Sequence, residues 1–535
     1  MMNTTFSKWK AALKDTSDGQ VLDNMTQDEL SDAFSGNISF GTGGLRGVMG
    51  IGASRINRYT IERVTVGLAK VILSSDVPKR VGVAYDTRHN SSAFAESVCK
   101  ALAAYGIETY SFSEPMPTPT LSYAIRLLGL GWGVVITASH NPQEYNGYKV
   151  YDSHGVQLTD EMAKEVTDSI NTVEFFEPLP DTLHSSINTF SDVVVEAYIS
   201  QITAYAGMDN MPAEFPFIYS ALHGAGARIV PKTLTLMGFS PICIQLNPDG
   251  AFGGLHTPNP EEPGVYESAL SKAKKTTAKL LLTTDPDCDR AGVMVKTDSD
   301  FLSLSGNQIG ALLIDYLAKT KGVAKGDTVI STIVSGTLGE AVAESYGLEF
   351  VRLLTGFKYI GEYIVNLPED KRFFFGYEES YGYLSGDGAK DKDAVMASAL
   401  IVKMAAFYDA KGMTLHDRWL ELSEKHGYHL ENLHSATVAQ DKQKEIMKKL
   451  RIGIPIADLI RLDDYAAGFK GLPPADTVKL IFNDGAWAAI RPSGTEPKLK
   501  IYTGVCMNTH EAAKEALEAL AENLLSALGL TNSQP

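Results

Sequence analysis

The segment Asp285-Pro286-Asp287-Cys288-Asp289-Arg290 sets three carboxylates at alternate positions, directly after the apolar run Leu280 to Thr283. In an extended segment alternate side chains share a face, which places successive carboxylates roughly 7 Å apart. Three like charges repel one another unless a hard cation sits among them, and oxygen-only ligands favour magnesium over zinc. A solvated acidic loop is the competing reading. An EF-hand is excluded, because Arg290 stands where its glycine belongs and Lys296 where its glutamate belongs. Cys288 is given no role.

Four other segments offer complementary chemistry. In Thr137-Ala138-Ser139-His140-Asn141-Pro142 a serine follows an apolar run, at a point where the chain must leave the strand. His140 and Asn141 offer hydrogen bonds and Pro142 stiffens the exit. The glycines of a hydrolase nucleophile elbow are missing around Ser139. In Gly376-Tyr377-Glu378-Glu379-Ser380-Tyr381-Gly382, a carboxylate at Glu378 and a hydroxyl at Ser380 can face one way and chelate the vicinal hydroxyls of a sugar. Arg491-Pro492-Ser493-Gly494-Thr495-Glu496-Pro497-Lys498 combines a guanidinium, two hydroxyls and a glycine-freed backbone, a nest for one phosphate. It lacks the GKS or GKT of a Walker loop. Gly41-Thr42-Gly43-Gly44-Leu45-Arg46-Gly47 lets backbone approach a ligand and lets Arg46 reach across. Taken singly, each of these segments also reads as an ordinary turn or surface loop.

The elements that must position them follow a repeating order. Val81 to Tyr85 reads as a strand, followed by Asp86-Thr87-Arg88, a helix from about Ser91 to Tyr105, a strand near Ile107 to Phe112, a helix after the PMPTPT turn, and a strand from Gly133 to Thr137. That is the βαβ pattern of a parallel sheet. It recurs over Phe217 to Thr283 and again over Thr328 to Phe375. Each round ends with an apolar strand running into a polar loop: VVITASHNP, LLLTTDPDCDR and FFFGYEESYG. Ligands of open parallel sheets bind beyond the carboxyl ends of the strands, so three such loops could converge on one cleft. The pattern changes after about His426. Val478 to Phe482, an Asn-Asp-Gly turn and Trp487 to Ile490 read as a hairpin, followed by a strand near Leu499 and an amphipathic helix from about His510. The expected architecture is therefore three topologically similar α/β domains, 1–206, 207–303 and 304–425, and a smaller α+β domain, 426–535. The surface-like stretch Ser423 to Asn432 is expected to be a hinge.

Bulk properties limit the function classes. Charged residues make up 21% and hydrophobic residues 44% of the 535, as in ordinary globular domains, which excludes a disordered or collagen-like chain. A net charge of −16 repels polyphosphate backbones and argues against general nucleic-acid binding. The four cysteines, Cys99, Cys243, Cys288 and Cys506, form no CxxC pair, so neither a structural zinc site nor a disulfide framework is indicated. The N-terminal segment reads as a short amphipathic helix, and the most apolar stretch, Ala394 to Ala406, is too short to span a bilayer. The expected setting is cytoplasmic, with no membrane and no nucleic-acid partner.

Taken together and in this order, GTGGLRG, TASHNP, DPDCDR, GYEESYG and RPSGTEP resemble the α-D-phosphohexomutase superfamily, over almost the whole chain. Within it the likeness is greatest to bacterial α-phosphoglucomutases of the phosphoglucomutase-2/phosphopentomutase-like branch. The resemblance implies three α/β domains and a C-terminal TATA-binding-protein-like domain around a central cleft. It implies that Ser139 carries a phosphoryl group and that Asp285, Asp287, Asp289 and a phosphoserine oxygen hold Mg2+, with Arg290 nearby. It places Arg46, His140 and Lys149 among the catalytic groups. Sugar and phosphate recognition is assigned to Thr355, Gly356 and Lys358 of Thr355-Gly356-Phe357-Lys358, to Glu378, Ser380 and Lys392, and to Arg491, Ser493, Gly494 and Thr495. The activity it implies is interconversion of glucose 1-phosphate and glucose 6-phosphate through glucose 1,6-bisphosphate, with mannose or pentose phosphates as alternative sugar-phosphate substrates and closure of the fourth domain over the substrate.

The chain also departs from the family pattern. Tyr377 stands where many members have glycine, and Gly382 where some bacterial members have a histidine, so that loop supplies no histidine base. Arg46, His140, Lys149 and Lys392 are the remaining acid/base candidates. A haloacid-dehalogenase reading, with Asp285 as nucleophile, leaves Asp289, TASHNP and RPSGTEP unexplained. A non-catalytic sugar-phosphate binder has no need of Ser139 together with all three aspartates.

Overall fold

The strand Trp132–Ile136 is buried at every position, and so are Phe217–Ser220 and Leu280–Thr284. Such largely apolar, fully buried runs belong in the middle of sheets covered on both faces. A computed structural model places Trp132–Ile136 and Leu280–Thr284 inside mixed sheets, each with a parallel neighbour on one side and an antiparallel one on the other. It describes residues 2–41, 44–180, 184–207, 214–454, 456–493 and 498–530. The chain divides into two compact units: Met1–Ser303 with Gly361–Asn366 and Gly382–Phe407, and Leu304–Ile360 with Leu367–Tyr381 and Tyr408–Pro535.

In the first unit one sheet is ordered Gly44–Val48, Tyr145–Tyr151, Trp132–Ile136, Arg80–Tyr85, Glu108–Ser111, Ile187–Thr189. The helices Arg58–Ser74, Ser91–Ala104 and Asp160–Ile170 bury Val64, Leu68, Val98, Leu102 and Val166 against Val81, Val83, Val134 and Tyr148 of this sheet. A second sheet runs Phe301–Leu304, Ala291–Lys296, Leu280–Thr284, Phe217–Ser220, Ile242–Ile244. In the second unit, Arg372–Glu378, Asp327–Thr332 and Glu349–Leu353 lie side by side and parallel. All three sheets therefore share one order. The third strand of each round (Trp132–Ile136, Leu280–Thr284, Arg372–Glu378) and the second both pair in parallel with the first. Each third strand ends in one of the polar loops that the sequence singles out.

The fourth sheet is antiparallel throughout, in the order Tyr428–Thr437, Lys498–Met507, Trp487–Pro492, Val478–Phe482, Leu459–Asp464. The expected hairpin is present, with Val478 opposite Ile490 and Ile481 opposite Trp487. The helices Gln440–Ile452 and His510–Ala527 cover one face through Ile446, Leu450, Ala513 and Leu524. The other face sets Trp487, Ala489 and Tyr502 against Ile333, Val334 and Leu354.

Two local expectations are corrected. The aspartate loop is not extended: Cys288 N donates to the Asp285 carbonyl at 2.9 Å, and Cys288 takes the left-handed conformation at φ 53°. The chain turns back on itself, and the carboxylates gather more closely than a strand allows. The stretch Ser423 to Asn432 is not an irregular surface loop, although Glu424, Lys425 and Asn432 are exposed. It is the end of the helix Leu415–His426 and the start of the strand Tyr428–Thr437, Ser423 is fully buried, and Glu431 accepts a hydrogen bond from Asn307 Nδ2 at 3.1 Å.

Among the described residues, no helix is long and apolar enough to cross a membrane.

Candidate active site

Ser139 lies three residues past the end of its strand, 1% exposed and in the left-handed region at φ 52°. Left-handed backbone is uncommon for a residue with a Cβ and is kept only where surrounding bonds impose it. Those bonds are present. Ser139 N donates to Thr137 Oγ1 at 2.8 Å, and Thr137 Oγ1 donates to Asp86 Oδ2 at 2.6 Å. Arg88, fully buried beside Asp86 with Nε 3.2 Å from Oδ2, donates from Nη2 to the carbonyls of Ser139 and Asn141, both at 2.5 Å. Its Nη1 reaches the carbonyls of Pro142 at 2.7 Å and Tyr145 at 3.1 Å. One guanidinium thus binds four carbonyls of the serine loop. Gly147 permits the close approach of the neighbouring strands: a Cβ there would sit 2.5 Å from the Thr137 carbonyl oxygen and 2.6 Å from that of Leu45.

The geometry aims the serine hydroxyl at the aspartates. Ser139 Oγ donates to Asp285 Oδ2 at 2.9 Å and lies 3.2 Å from His140 Nδ1. Asp285 Oδ1 accepts from the backbone N–H groups of Asp289 at 3.0 Å and Arg290 at 2.9 Å, which closes the turn. Asp287 Oδ2 accepts from Thr118 Oγ1 at 3.0 Å and from Lys149 Nζ at 2.7 Å, and Lys149 Nζ also reaches Asp289 Oδ2 at 3.0 Å. Lys392 Nζ stands 3.3 Å from Asp289 Oδ2 and 3.3 Å from Asp391 Oδ1, and Tyr151 donates to Asp391 at 2.8 Å. Arg290 pairs with Glu261 at 2.9 Å, and Arg46 Nη1 donates to Asn141 Oδ1 at 3.2 Å.

These residues fit a divalent cation. Each aspartate offers an oxygen within 4.8 Å of the other two. Asp287 Oδ1 and Asp289 Oδ1 are buried without a hydrogen-bond partner, an arrangement that costs free energy unless something else binds them. Oxygen-only donors suit magnesium or a similar hard ion.

Charge coupling sets the protonation states. Burial, then Asp287 and Asp289, push the Asp285 carboxyl well above its ordinary pKa. Burial would raise Asp289 too, but Lys149, Lys392 and Arg290 outweigh it and hold the carboxylate ionised. Burial alone would lower the Lys149 ammonium; Asp287 and Asp289 reverse the sign and keep it charged. Burial, then Arg290 and Arg46, lower His140 well below its ordinary value, so its imidazole is neutral near pH 7.

Family models for the phosphoglucomutase/phosphomannomutase α/β/α domains I, II and III match residues 37–177, 196–298 and 305–426, and the C-terminal domain model matches 438–522. The chain belongs to this family. It is similar to a phosphoglucomutase of Staphylococcus haemolyticus, 35% identical over 95% of this chain and 97% of the relative. Its fold is similar to that of Paramecium parafusin, a phosphoglucomutase solved in its open form (TM-score 0.71, 17% identity, 92% of this chain and 95% of that one). A further fold likeness is to the N-acetylphosphoglucosamine mutase of Aspergillus fumigatus, solved with GlcNAc-6P and magnesium (TM-score 0.55, 14% identity, 98% and 99%). Membership makes the chain a phosphohexomutase-type enzyme of the α-D-phosphohexomutase superfamily.

The remaining expected residues of the family site lie in the second unit. The backbone N–H of Gly356, at φ 122°, donates to Glu378 Oε1 at 2.8 Å, which ties the Thr355-Gly356 loop to the end of the strand Arg372–Glu378. Lys358 is buried, its Nζ 4.8 Å above the Tyr359 ring. Ser380 is half-buried two residues beyond Glu378. Arg491 extends over Tyr502, with Nη2 3.5 Å from the phenol oxygen, and its Nε is buried without a hydrogen-bond partner. Ser493 N donates to the Lys498 carbonyl at 2.7 Å. Gly494 and Thr495 lie outside the described residues.

Sequence reasoning missed Arg88 and Asp86 as shapers of the serine loop, and Thr118 as a partner of Asp287. One signal was available: Asp86-Thr87-Arg88 also follows an apolar strand directly and carries both charges. Lys392 was expected to bind substrate phosphate. The structure sets it beside Asp289 and Asp391, in the same unit as Ser139.

Proposed function

We propose that the protein is a phosphoglucomutase that interconverts α-D-glucose 1-phosphate and glucose 6-phosphate through a phosphorylated Ser139 and glucose 1,6-bisphosphate. The observation that carries this reading is the hydrogen bond from Ser139 Oγ to Asp285, 2.9 Å, inside a buried cluster of three aspartates. The 35% identity to a relative named phosphoglucomutase supports glucose phosphate as the substrate.

In this reading phosphorylated Ser139 gives its phosphoryl group to the free hydroxyl of the bound sugar phosphate: the Ser139 Oγ–P bond breaks and the sugar O–P bond forms. The serine oxygen regains a proton as the sugar hydroxyl loses one. Transfer of the bisphosphate's other phosphoryl group to Ser139 then completes the exchange. Such chemistry asks the protein for positioning and charge stabilisation more than for covalent steps. Arg88 holds the loop so that Oγ faces the aspartates. Neutral His140, 3.2 Å from Oγ, is the proposed proton carrier, and Lys149 and Arg46 supply positive charge. Asp285, Asp287 and Asp289 would hold Mg2+, which when bound neutralises charge on the phosphoryl oxygens. Glu378 and Ser380 are proposed to read the sugar hydroxyls, with Thr355, Gly356 and Lys358 beside them. Lys392, Arg491, Ser493, Gly494 and Thr495 are proposed to take phosphate. Domains 1–206, 207–303, 304–425 and 426–535 remain the proposed division. The cytoplasm is the proposed compartment, in keeping with four free cysteines.

The test is an assay with Mg2+ and a trace of glucose 1,6-bisphosphate, offering glucose, mannose, ribose and glucosamine 1-phosphates, with Ser139→Ala alongside. Glucose 1-phosphate turning over fastest, with an inactive variant, is the expected result. A fully active Ser139→Ala would refute the phosphoserine route, and a different preferred sugar would refute the substrate assignment.

A further inference from the structure

A second pocket, of about 410 Å³, lies in the second unit, where the fourth sheet meets the loop that follows the strand Asp327–Thr332. Its charges do not balance. Glu340 is taken up by Arg352 at 2.8 Å and Asp463 by Arg461 at 3.0 Å. Lys479 and Lys470 also line the pocket and pair with no carboxylate among the described residues. Four cations, Arg352, Arg461, Lys470 and Lys479, thus line one pocket with two carboxylates, in a chain whose net charge is −16.

Lys479 is the unusual member. It is 8% exposed, its Nζ donates to the Ile333 carbonyl at 2.6 Å, and it sits 4.5 Å above the Trp487 ring. A buried ammonium with no carboxylate in ion-pair contact is costly, and the group responds by losing its proton more readily; Glu340 and Asp463 oppose this only in part. Burial, then Arg352, bring Lys479 down to about 7. The rest of the wall is apolar and aromatic: Tyr465 and Phe469 meet edge to face with centroids 5.2 Å apart. Pockets that take small organic ligands combine such walls with a few placed polar groups. The pocket is distinct from the phosphate loop, since Trp487 and Arg491 are four residues apart on one strand, on the order of 13 Å by strand rise.

We propose that this pocket is a non-catalytic binding site for a small organic phosphate monoester, whose oxyanion pairs with Lys479 and whose apolar body lies against Tyr465 and Phe469. Lys470, exposed at the rim, adds attraction at longer range.

The test is a calorimetric titration of phenyl phosphate into the full-length, Mg2+-loaded protein, run without and with glucose 6-phosphate, which competes at the catalytic phosphate contacts and whose hydroxyl-rich body does not match the aromatic wall. A separate glucose 6-phosphate titration comes first, so failure of the substrate assignment is read apart from failure of this one. One further site is expected. Lys479→Met should weaken it at least tenfold, and the rim variant Lys470→Glu about threefold with an unchanged melting temperature. At pH 8, binding should draw close to one proton from the buffer in the unaltered protein and none in Lys479→Met. If Lys479→Met fails to fold, Lys470→Glu and the proton uptake decide. No further site, no proton uptake, or an affinity that Lys470→Glu leaves unchanged (an adventitious anion only) would overturn the proposal.

Discussion

The guanidinium of Arg88 and the carbonyl of Ser139 are 2.5 Å apart, although 51 residues separate them in the chain. The same side chain binds the carbonyls of Asn141, Pro142 and Tyr145 and is itself oriented by Asp86. The left-handed backbone that turns Ser139 Oγ toward Asp285 is therefore imposed from a different strand end, and the loop's own sequence does not account for it. The same device recurs in the third sheet, where Arg352 binds the carbonyls of Thr332, Ser335 and Gly336.

Arg88→Met should uncouple loop geometry from folding. Removing one partner of a buried ion pair costs about 3–5 kcal/mol, read as a lower melting temperature. The double variant Asp86→Asn/Arg88→Met should regain part of that loss, because no unpaired charge remains buried. Turnover should fall about a hundredfold in both, since misplacing a reacting group by an ångström costs that much. Full activity in the double variant would show that Arg88 does not position Ser139.

Cation binding should be visible in stability as well as in rate. Mg2+ at about 100 times its Kd should raise unfolding free energy by about 2.7 kcal/mol over the chelator-treated protein. Asp287→Asn should abolish the gain. Lys149→Met leaves Asp287 and Asp289 without their nearest counter-charge, so it should lower stability in chelator and enlarge the gain from Mg2+. Calorimetric melting of the three proteins, with and without chelator, measures each effect.

Glu431 predicts a pH dependence away from the aspartates. Burial raises its carboxyl from 4.5 to about 7, opposed by the hydrogen bond from Asn307. The folded state then holds the proton more tightly than the unfolded state. Its contribution is fully present below about pH 4.5 and is lost as pH rises through about 7, on the order of 3 kcal/mol in total. Glu431→Gln keeps the Asn307 bond and should remove that decline from the pH profile of denaturant midpoints. A profile unchanged from the parent protein would mean that Glu431 does not titrate in this window.

Gly147→Ala should be costly despite its small size. The added methyl would meet the Thr137 and Leu45 carbonyl oxygens at 2.5 and 2.6 Å, backbone atoms that cannot rotate away. Overpacking of this kind costs about 1–3 kcal/mol. Because Thr137 positions Ser139 N, kcat should fall together with melting temperature. Gly485→Ala, in the hairpin turn with no atom within 4 Å of the new methyl, should leave kcat unchanged.

Much of this protein was legible in its residues. The three rounds of strand, helix and strand, the hairpin of the fourth sheet, and the loops carrying Ser139, Asp285 and Glu378 follow from hydrophobic periodicity and turn chemistry, which act over a few residues. The sequence could name Asp285, Asp287 and Asp289 as partners, but it misjudged their spacing, because the left-handed turn at Cys288 depends on backbone hydrogen bonds that only the folded loop makes. Pairings across long separations were hidden: Arg88 with Ser139, Lys149 with Asp287 at 138 residues, and Lys392 with Asp289. The segment Ser423 to Asn432 reads as a surface stretch because nothing local records that Ser423 is buried or that Glu431 meets Asn307. Residue type and local order are enough to decide which groups can do chemistry. Strand register and sheet order decide which charges meet, because Coulomb and hydrogen-bond energies depend on ångström separations that no one-dimensional spacing encodes.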